Sequence, residues 1–184
     1  MYHQRWSLLF ATFLVLLFSY FPSFIERKYD IFLPIEYEFL MVLFIYVSLF
    51  LGSVHSYYTR IWWWDILLHV SSGLVLGFCG FLLLYVLYYK NKITSQPFWL
   101  VFFSFCFALA LGTLWEIFEF SMDQSFGLNM QKSGLIDTMW DLIVDALGAF
   151  VTSLLGYFYL QGKKTPLFHR MLQKFEKRNP RFFH

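Results

Sequence analysis

The chain has 184 residues, of which 59% are hydrophobic and only 14% are charged. A soluble domain of this length needs far more polar surface, so the composition excludes an ordinary soluble domain and favours an integral membrane protein. The formal net charge of +2 gives no case for nucleic-acid binding beyond a basic C-terminal tail. We expect one membrane domain, residues 1–162, followed by that tail, residues 163–184, on the cytoplasmic side.

Five apolar segments are long enough to cross a bilayer, which takes roughly 20 residues in an α-helix. In chain order they are residues 6–24, 39–58, 66–89, 98–120 and 138–160. The sequence therefore predicts an all-α, polytopic transmembrane bundle of about five helices. The first segment follows Arg5 but lacks a small-residue cleavage site, so we interpret it as a retained helix.

The Lys and Arg residues are distributed unequally between the two sides that five crossings create. With a cytoplasmic C-terminus, only Arg5, Arg60 and Lys132 of the 14 fall on the outer side, which leaves eleven on the inner side. The positive-inside rule then predicts a multi-pass protein of the cell membrane with its N-terminus outside.

The tail contains apolar residues at helical spacing and basic residues largely on the other side. The apolar set is Leu167, Phe168, Met171, Leu172 and Phe175. This pattern fits a short interfacial helix on the anionic inner leaflet, and it equally fits a plain basic anchor, which is the simpler interpretation.

Acidic residues concentrate at the predicted outer ends of the third, fourth and fifth segments. Seven of the twelve lie there: Asp65, Glu116, Glu119, Asp123, Asp137, Asp141 and Asp145. Residues three or four apart share a helix face, and Gly73, Gly112 and Gly148 continue the faces that carry His69 and these acids. Because small residues let membrane helices approach closely, we expect the polar residues to meet inside the bundle.

Simpler interpretations remain open for several of these residues. Asp65 and Asp137 precede helix starts, where Asp is a favoured cap that complements the helix dipole. Asp123 is equally compatible with an exposed loop, and His55 is better explained as a surface histidine than as a ligand.

The acidic layer requires charge compensation. Two carboxylates about 4 Å apart repel by about 4 kcal/mol at an effective dielectric near 20, so protons, water or a cation must offset them. We predict a divalent metal ion bound by His69, Glu116, Asp141 and Asp65, with Glu119 and Asp145 as catalytic carboxylates. Such a ligand set suits Mn, Mg, Ca, Fe or Zn. Metal-assisted hydrolysis of a lipid or other amphiphilic substrate is the natural reaction class.

Two other functional classes fit the same residues. In a proton- or cation-coupled transporter the carboxylates would be carriers, although the polar residues do not continue to the inner side. In a non-enzymatic membrane scaffold they would pair with basic residues of a partner. Membrane lipids are the expected surroundings in every case, and the sequence does not predict an oligomeric state.

Three motifs together resemble the YjdF-like family of small bacterial and archaeal membrane proteins. They are Trp64-Asp65-x-x-x-His69-x-x-x-Gly73, Trp115-Glu116-x-x-Glu119 and Asp137-Thr138-x-x-Asp141-x-x-x-Asp145-x-x-Gly148. The similarity covers residues 60–156. The resemblance implies that these polar positions belong to one shared site, and it brings no activity with it.

Overall fold

The computed structural model describes residues 12–13, 15–17, 19–20, 23–24, 26–90 and 93–183, and the regular elements among them are all helical. The predicted all-α class is therefore confirmed for this part of the chain. The described positions between 12 and 29 are helical. The predicted first segment, residues 6–24, lies partly outside the described residues and stays a prediction.

The predicted second segment is an interrupted helix. Helix α1, Ile35–Ile45, continues directly as a nine-residue π-helix, Tyr46–Val54. The helical path then stops at Ser56, which adopts a left-handed conformation (φ 60°), and the short helix α2, Tyr57–Arg60, follows. The predominantly apolar helix of this region, Tyr37–Gly52, is shorter than a typical membrane span.

Three helices are long and apolar enough to cross a membrane among the residues that the structure describes. They are α3, Trp64–Tyr89, α4, Pro97–Phe126, and α5, Leu135–Leu160. These correspond to the third, fourth and fifth predicted segments. Helix α4 begins with a proline, which lacks a backbone N–H and is tolerated in the first turn because N–H groups there have no partner within the helix. The helix ends before Gly127, which adopts the left-handed conformation (φ 63°). The loop between α4 and α5 is consequently shorter than the sequence suggested.

The chain divides into two compact units. One contains Met1–Asp65 and Lys174–Pro180, and the other contains Ile66–Gln173 and Arg181–His184. The boundary near Asp65 falls within the first turn of α3, so Asp65 is carried by the same continuous helix as His69. The second unit holds nearly all of the three long helices.

Helices α3 and α5 approach each other through glycines. A Cβ atom added to Gly73 would collide with the carbonyl oxygen of Asp145, and one added to Gly148 would collide with the carbonyl oxygen of Val70. The backbones therefore touch without intervening side chains. This confirms the prediction that the glycine-bearing faces pack against neighbouring helices.

Helices α3 and α4 are also in direct backbone contact. The Ser104 hydroxyl, which is fully buried, donates a hydrogen bond of 2.6 Å to the carbonyl of Gly77. A Cβ atom on Gly80 would lie 3.1 Å from the carbonyl of Ser104. Close packing along α3 on two sides fixes the angular positions of the polar residues that the three helices carry.

The C-terminal tail forms helix α6, Pro166–Arg178, followed by a 3₁₀ turn, Pro180–Phe182. Phe168, Leu172 and Phe175 on its apolar face are buried by the protein, whereas Leu167 is exposed. The Phe168 ring packs edge-on against Phe81 at a centroid distance of 4.9 Å. The predicted helix is present, but most of its apolar face is unavailable for insertion into lipid. The assignment of residues 163–184 as a separate tail stays a prediction.

Candidate metal centre

The three long helices carry an unbalanced set of charges. Their sequences contain seven acidic residues and neither Lys nor Arg, and His69 is their one basic side chain. His69 lies in the second turn of α3 and is 9% exposed. The environment of this imidazole therefore determines how the acidic layer is compensated.

The two nitrogen atoms of His69 face different carboxylates. Nδ1 lies 3.2 Å from Oδ2 of Asp145, which is hydrogen-bonding distance. Nε2 lies 3.8 Å from Oδ2 of Asp141 and 4.0 Å from Oε1 of Glu116. One edge of the ring is thus held by a direct hydrogen bond, and the other faces two carboxylates across a gap.

A potential metal-binding group contains His69 and two carboxylates. Asp65, His69 and Asp141 each offer one ligand atom, and these three atoms lie within 4.8 Å of one another. His69 and Asp141 are buried, and Asp65 is half-buried. Three of the four residues predicted as metal ligands therefore come together, and Glu116 lies beside them.

Glu116 is the least compensated carboxylate of the cluster. It is 3% exposed, and neither of its carboxylate oxygens has a hydrogen-bond partner. The Thr138 hydroxyl lies nearby, and the charges of His69, Asp145 and Asp137 act on the same carboxylate. Because an unpaired buried charge costs several kcal/mol, Glu116 requires a proton or a cation close by.

Both oxygens of Asp145 are engaged by α3. Oδ2 faces Nδ1 of His69, and Oδ1 accepts a hydrogen bond of 2.5 Å from the Ser72 hydroxyl. Gly112 of α4 provides the space for this carboxylate, since an added Cβ atom would lie 2.7 Å from Oδ2. Asp145 is buried and fixed, so it is placed to orient His69.

The remaining predicted acids lie further along α4 and α5. Glu119 is half-buried and accepts a hydrogen bond of 2.9 Å from the Trp115 indole. Asp137 lies in the first turn of α5 and is half-buried. Neither belongs to the potential metal-binding group that the described residues form.

Asp123 organises the loop between α4 and α5. Its carboxylate accepts hydrogen bonds from the backbone N–H groups of Met130 (2.8 Å) and Gln131 (2.9 Å). The Gln131 side chain in turn donates a hydrogen bond of 2.6 Å to the Thr138 hydroxyl. The loop is consequently tied to the first turn of α5 beside Glu116, and Asp123 serves the loop.

Two polar residues of this region escaped the sequence analysis as partners. Ser72 lies three residues after His69 on α3, but its bond to Asp145 crosses between helices and has no signature in either helix alone. Thr138 lies one position after Asp137, and its place beside Glu116 depends on the packing of α4 against α5. His55, by contrast, is exposed and packs edge-on against the Phe50 ring at 4.9 Å.

The comparisons with known proteins agree with a membrane protein. A family model described as "Predicted membrane protein (DUF2238)" matches residues 1–162. The chain belongs to this family. The expectation of a family of integral membrane proteins is thereby confirmed, and all the polar residues of the cluster lie within the matched region.

A relative in Thermotoga maritima, described as an uncharacterized protein, is 30% identical over 107 residues. The alignment covers 58% of this chain and 54% of that protein, so it spans about half the length of the relative. No solved structure matches the chain.

Proposed function

We propose that the cluster binds one divalent cation and uses it to hydrolyse a lipid or another amphiphilic substrate. The observation that carries the proposal is the convergence of ligand atoms from Asp65, His69 and Asp141 within 4.8 Å of one another. The buried carboxylate of Glu116, which has no hydrogen-bond partner and lies 4.0 Å from Nε2 of His69, also supports it.

Two of the separations from His69 suit a shared ion. Two ligands that are each about 2.1 Å from one ion lie at most about 4.2 Å apart. The separations of Nε2 from Asp141 (3.8 Å) and from Glu116 (4.0 Å) are within that limit. One imidazole nitrogen with carboxylate oxygens favours a borderline ion such as Mn²⁺, Fe²⁺ or Zn²⁺ over Mg²⁺ or Ca²⁺.

The reaction follows from the residues around the ion. A bound cation would lower the pKa of a coordinated water, and Glu119 would accept the proton as the water oxygen attacks the carbonyl or phosphoryl centre. The ester bond then breaks, and the departing alcohol takes up the proton. Because the site is carried by helices that are long and apolar enough to span a membrane, a substrate that partitions into the bilayer would reach it, which favours an amphiphile.

The charge distribution supports an orientation for this site. Eleven of the fourteen Lys and Arg residues fall on the side of the C-terminal tail when five crossings are counted. Under the positive-inside rule the tail is cytoplasmic, the N-terminus is outside, and the cation site opens toward the outer face.

The binding step is tested by titrating Mn²⁺ into purified protein and following the free-ion signal by electron paramagnetic resonance. His69→Gln should abolish tight binding, because it removes the nitrogen ligand. His55→Gln is the matched control, since His55 is exposed and does not belong to the group of potential ligands, and it should bind like the wild type. Equal binding by His69→Gln and the wild type would overturn the proposal.

The hydrolytic step is tested in mixed micelles of glycerophospholipids and carboxylic esters, with products identified by mass spectrometry. We expect Mn²⁺- or Zn²⁺-dependent release of an alcohol or acid, lost in Glu119→Gln. Metal binding without turnover of either lipid class would limit the proposal to its cation site.

A proton- or cation-coupled transporter is the second candidate, favoured by the same buried Glu116 without a hydrogen-bond partner. Protons on His69 and its neighbouring carboxylates would then replace the cation. A flux across liposomes that follows an imposed pH or ion gradient, and that Glu116→Gln abolishes, would favour transport over hydrolysis.

A further inference from the structure

We infer that Asp145 is a positioning residue that holds the His69 ring with Nε2 directed at the cation, and is not itself the catalytic base. The inference rests on the proposed cation site, which it deepens by assigning the two nitrogen atoms of His69 to different tasks. It also revises the sequence-based assignment of Asp145 as a catalytic carboxylate.

The two nitrogen atoms of the His69 ring have different neighbours. Nδ1 is within hydrogen-bonding distance of Asp145, at 3.2 Å, whereas Nε2 faces the gap shared with Asp141 and Glu116. A carboxylate that accepts the Nδ1 proton leaves the Nε2 lone pair for a metal ion. This arrangement of carboxylate, histidine and metal fixes the tautomer and raises the basicity of the ligating nitrogen.

Asp145 is itself anchored. Its Oδ1 accepts the Ser72 hydroxyl at 2.5 Å, and that hydroxyl also lies 2.8 Å from the carbonyl of His69. The carboxylate is 3% exposed, and Gly112 leaves room for it on the α4 side. Ser72 and His69 are three residues apart on one helix, so one carboxylate from α5 binds both at once.

The hydrogen bonds and burial of Asp145 argue against a catalytic role. A general base must have a lone pair directed at the proton that it removes. Both oxygens of Asp145 are directed at α3, one to Ser72 and one to His69. The proton acceptor in hydrolysis is accordingly assigned to a different carboxylate, and the loss of Asp145 should act on the cation through His69.

The test uses variants that alter Asp145 or its anchors without removing a proposed ligand. We expect Asp145→Asn to weaken Mn²⁺ binding by about 10- to 100-fold, which is typical for an orienting partner of a metal-bound histidine. Ser72→Ala should weaken binding several-fold. Ser71→Ala is the matched control, because Ser71 donates to the Leu67 carbonyl of its own helix, and it should bind like the wild type.

A spectroscopic readout separates positioning from a structural effect. In ¹⁵N-histidine-labelled wild-type protein, Nδ1 of His69, identified by comparison with His69→Gln, should carry a proton in both metal-free and Zn²⁺-loaded samples. The visible spectrum of the Co²⁺-loaded protein should change in Asp145→Asn and stay unchanged in Ser71→Ala.

The outcomes distinguish this inference from the proposed function. A bare Nδ1 in the wild type, or wild-type affinity and Co²⁺ spectrum in Asp145→Asn, would overturn the positioning role while the cation site stands. Absence of metal binding in the wild type would overturn the proposed function. The wild-type nitrogen spectrum determines which nitrogen carries the proton even if a variant fails to fold.

Discussion

The two ring nitrogens of His69 have different carboxylate neighbours. Its Nδ1 edge is fixed by Asp145 at 3.2 Å, and its Nε2 edge faces Asp141 and Glu116 at 3.8 and 4.0 Å. No Lys or Arg occurs in the three long helices to neutralise these acids. At the residue scale, the identity of the neutralising species is therefore the main functional question.

Gly112 provides a test at this scale because it touches the site without supplying a ligand. A Cβ atom there would lie 2.7 Å from Oδ2 of Asp145, so Gly112→Ala should displace that carboxylate and weaken Mn²⁺ binding by about tenfold, the lower end of the effect of an orienting partner. Thr113→Ala is the control, because the Thr113 hydroxyl donates to the Leu109 carbonyl of its own helix. Unchanged binding by Gly112→Ala would show that the site does not depend on the position of Asp145.

The sequence could predict which residues meet but not how each one is used. Helical spacing placed His69, Glu116, Asp141 and Asp145 on faces with glycines, and these four side chains do converge. Their roles depend on rotamers and on distances between helices, which spacing does not encode. The bond between Ser72 and Asp145 is of this kind, and so is the lack of a partner for Glu116.

At the scale of elements, the centre of each long helix was easier to predict than its ends. The apolar run of a segment indicates only the part of a helix that crosses the hydrocarbon core. Helix α4 continues beyond its apolar run, through Ser121 and Asp123 to Phe126, and ends before Gly127. The π-helix Tyr46–Val54 and the left-handed Ser56 were not predicted, because the apolar run continues through them.

The contact between α3 and α5 makes a prediction about stability. Gly148→Ala would push a methyl group into the Val70 carbonyl, and overpacking of this kind typically costs about 1–3 kcal/mol. The free energy of unfolding in mixed detergent micelles, followed by tryptophan fluorescence, should fall by that amount. Leu147→Ala, on the adjacent exposed face, should have a smaller effect. Equal stability of Gly148→Ala and the wild type would contradict the close backbone contact.

The loop between α4 and α5 gives a second prediction at this scale. Asp123→Asn replaces a charged acceptor of two backbone N–H groups with a neutral one, and a hydrogen bond to a charged group is worth about 1.5–3 kcal/mol. Amide hydrogen exchange at Met130 and Gln131 should accelerate at least about tenfold, since 1.4 kcal/mol corresponds to one decade. Ser125→Ala, also near the end of α4, should leave both rates unchanged. Unaltered exchange rates in Asp123→Asn would show that the Asp123 carboxylate does not stabilise the loop.

At the scale of the whole molecule, the asymmetry of Lys and Arg predicts the orientation in the membrane. In a background with Cys79 and Cys106 replaced by serine, Ser133→Cys should react with a membrane-impermeant maleimide added to intact cells. Lys164→Cys, in the basic tail, should react only after the cells are opened. The reverse pattern would place the cation site on the cytoplasmic side.

Metal analysis of purified protein shows whether a divalent cation compensates the buried carboxylates. Wild-type protein equilibrated with Mn²⁺ or Zn²⁺ and then freed of excess ion should retain about one equivalent, as expected for a single site with three or four protein ligands. Glu116→Gln and Asp141→Asn should retain far less, whereas Glu176→Gln, an acid of α6, should match the wild type. Metal-free wild-type protein under these conditions would contradict compensation by a cation and assign the carboxylates to protons.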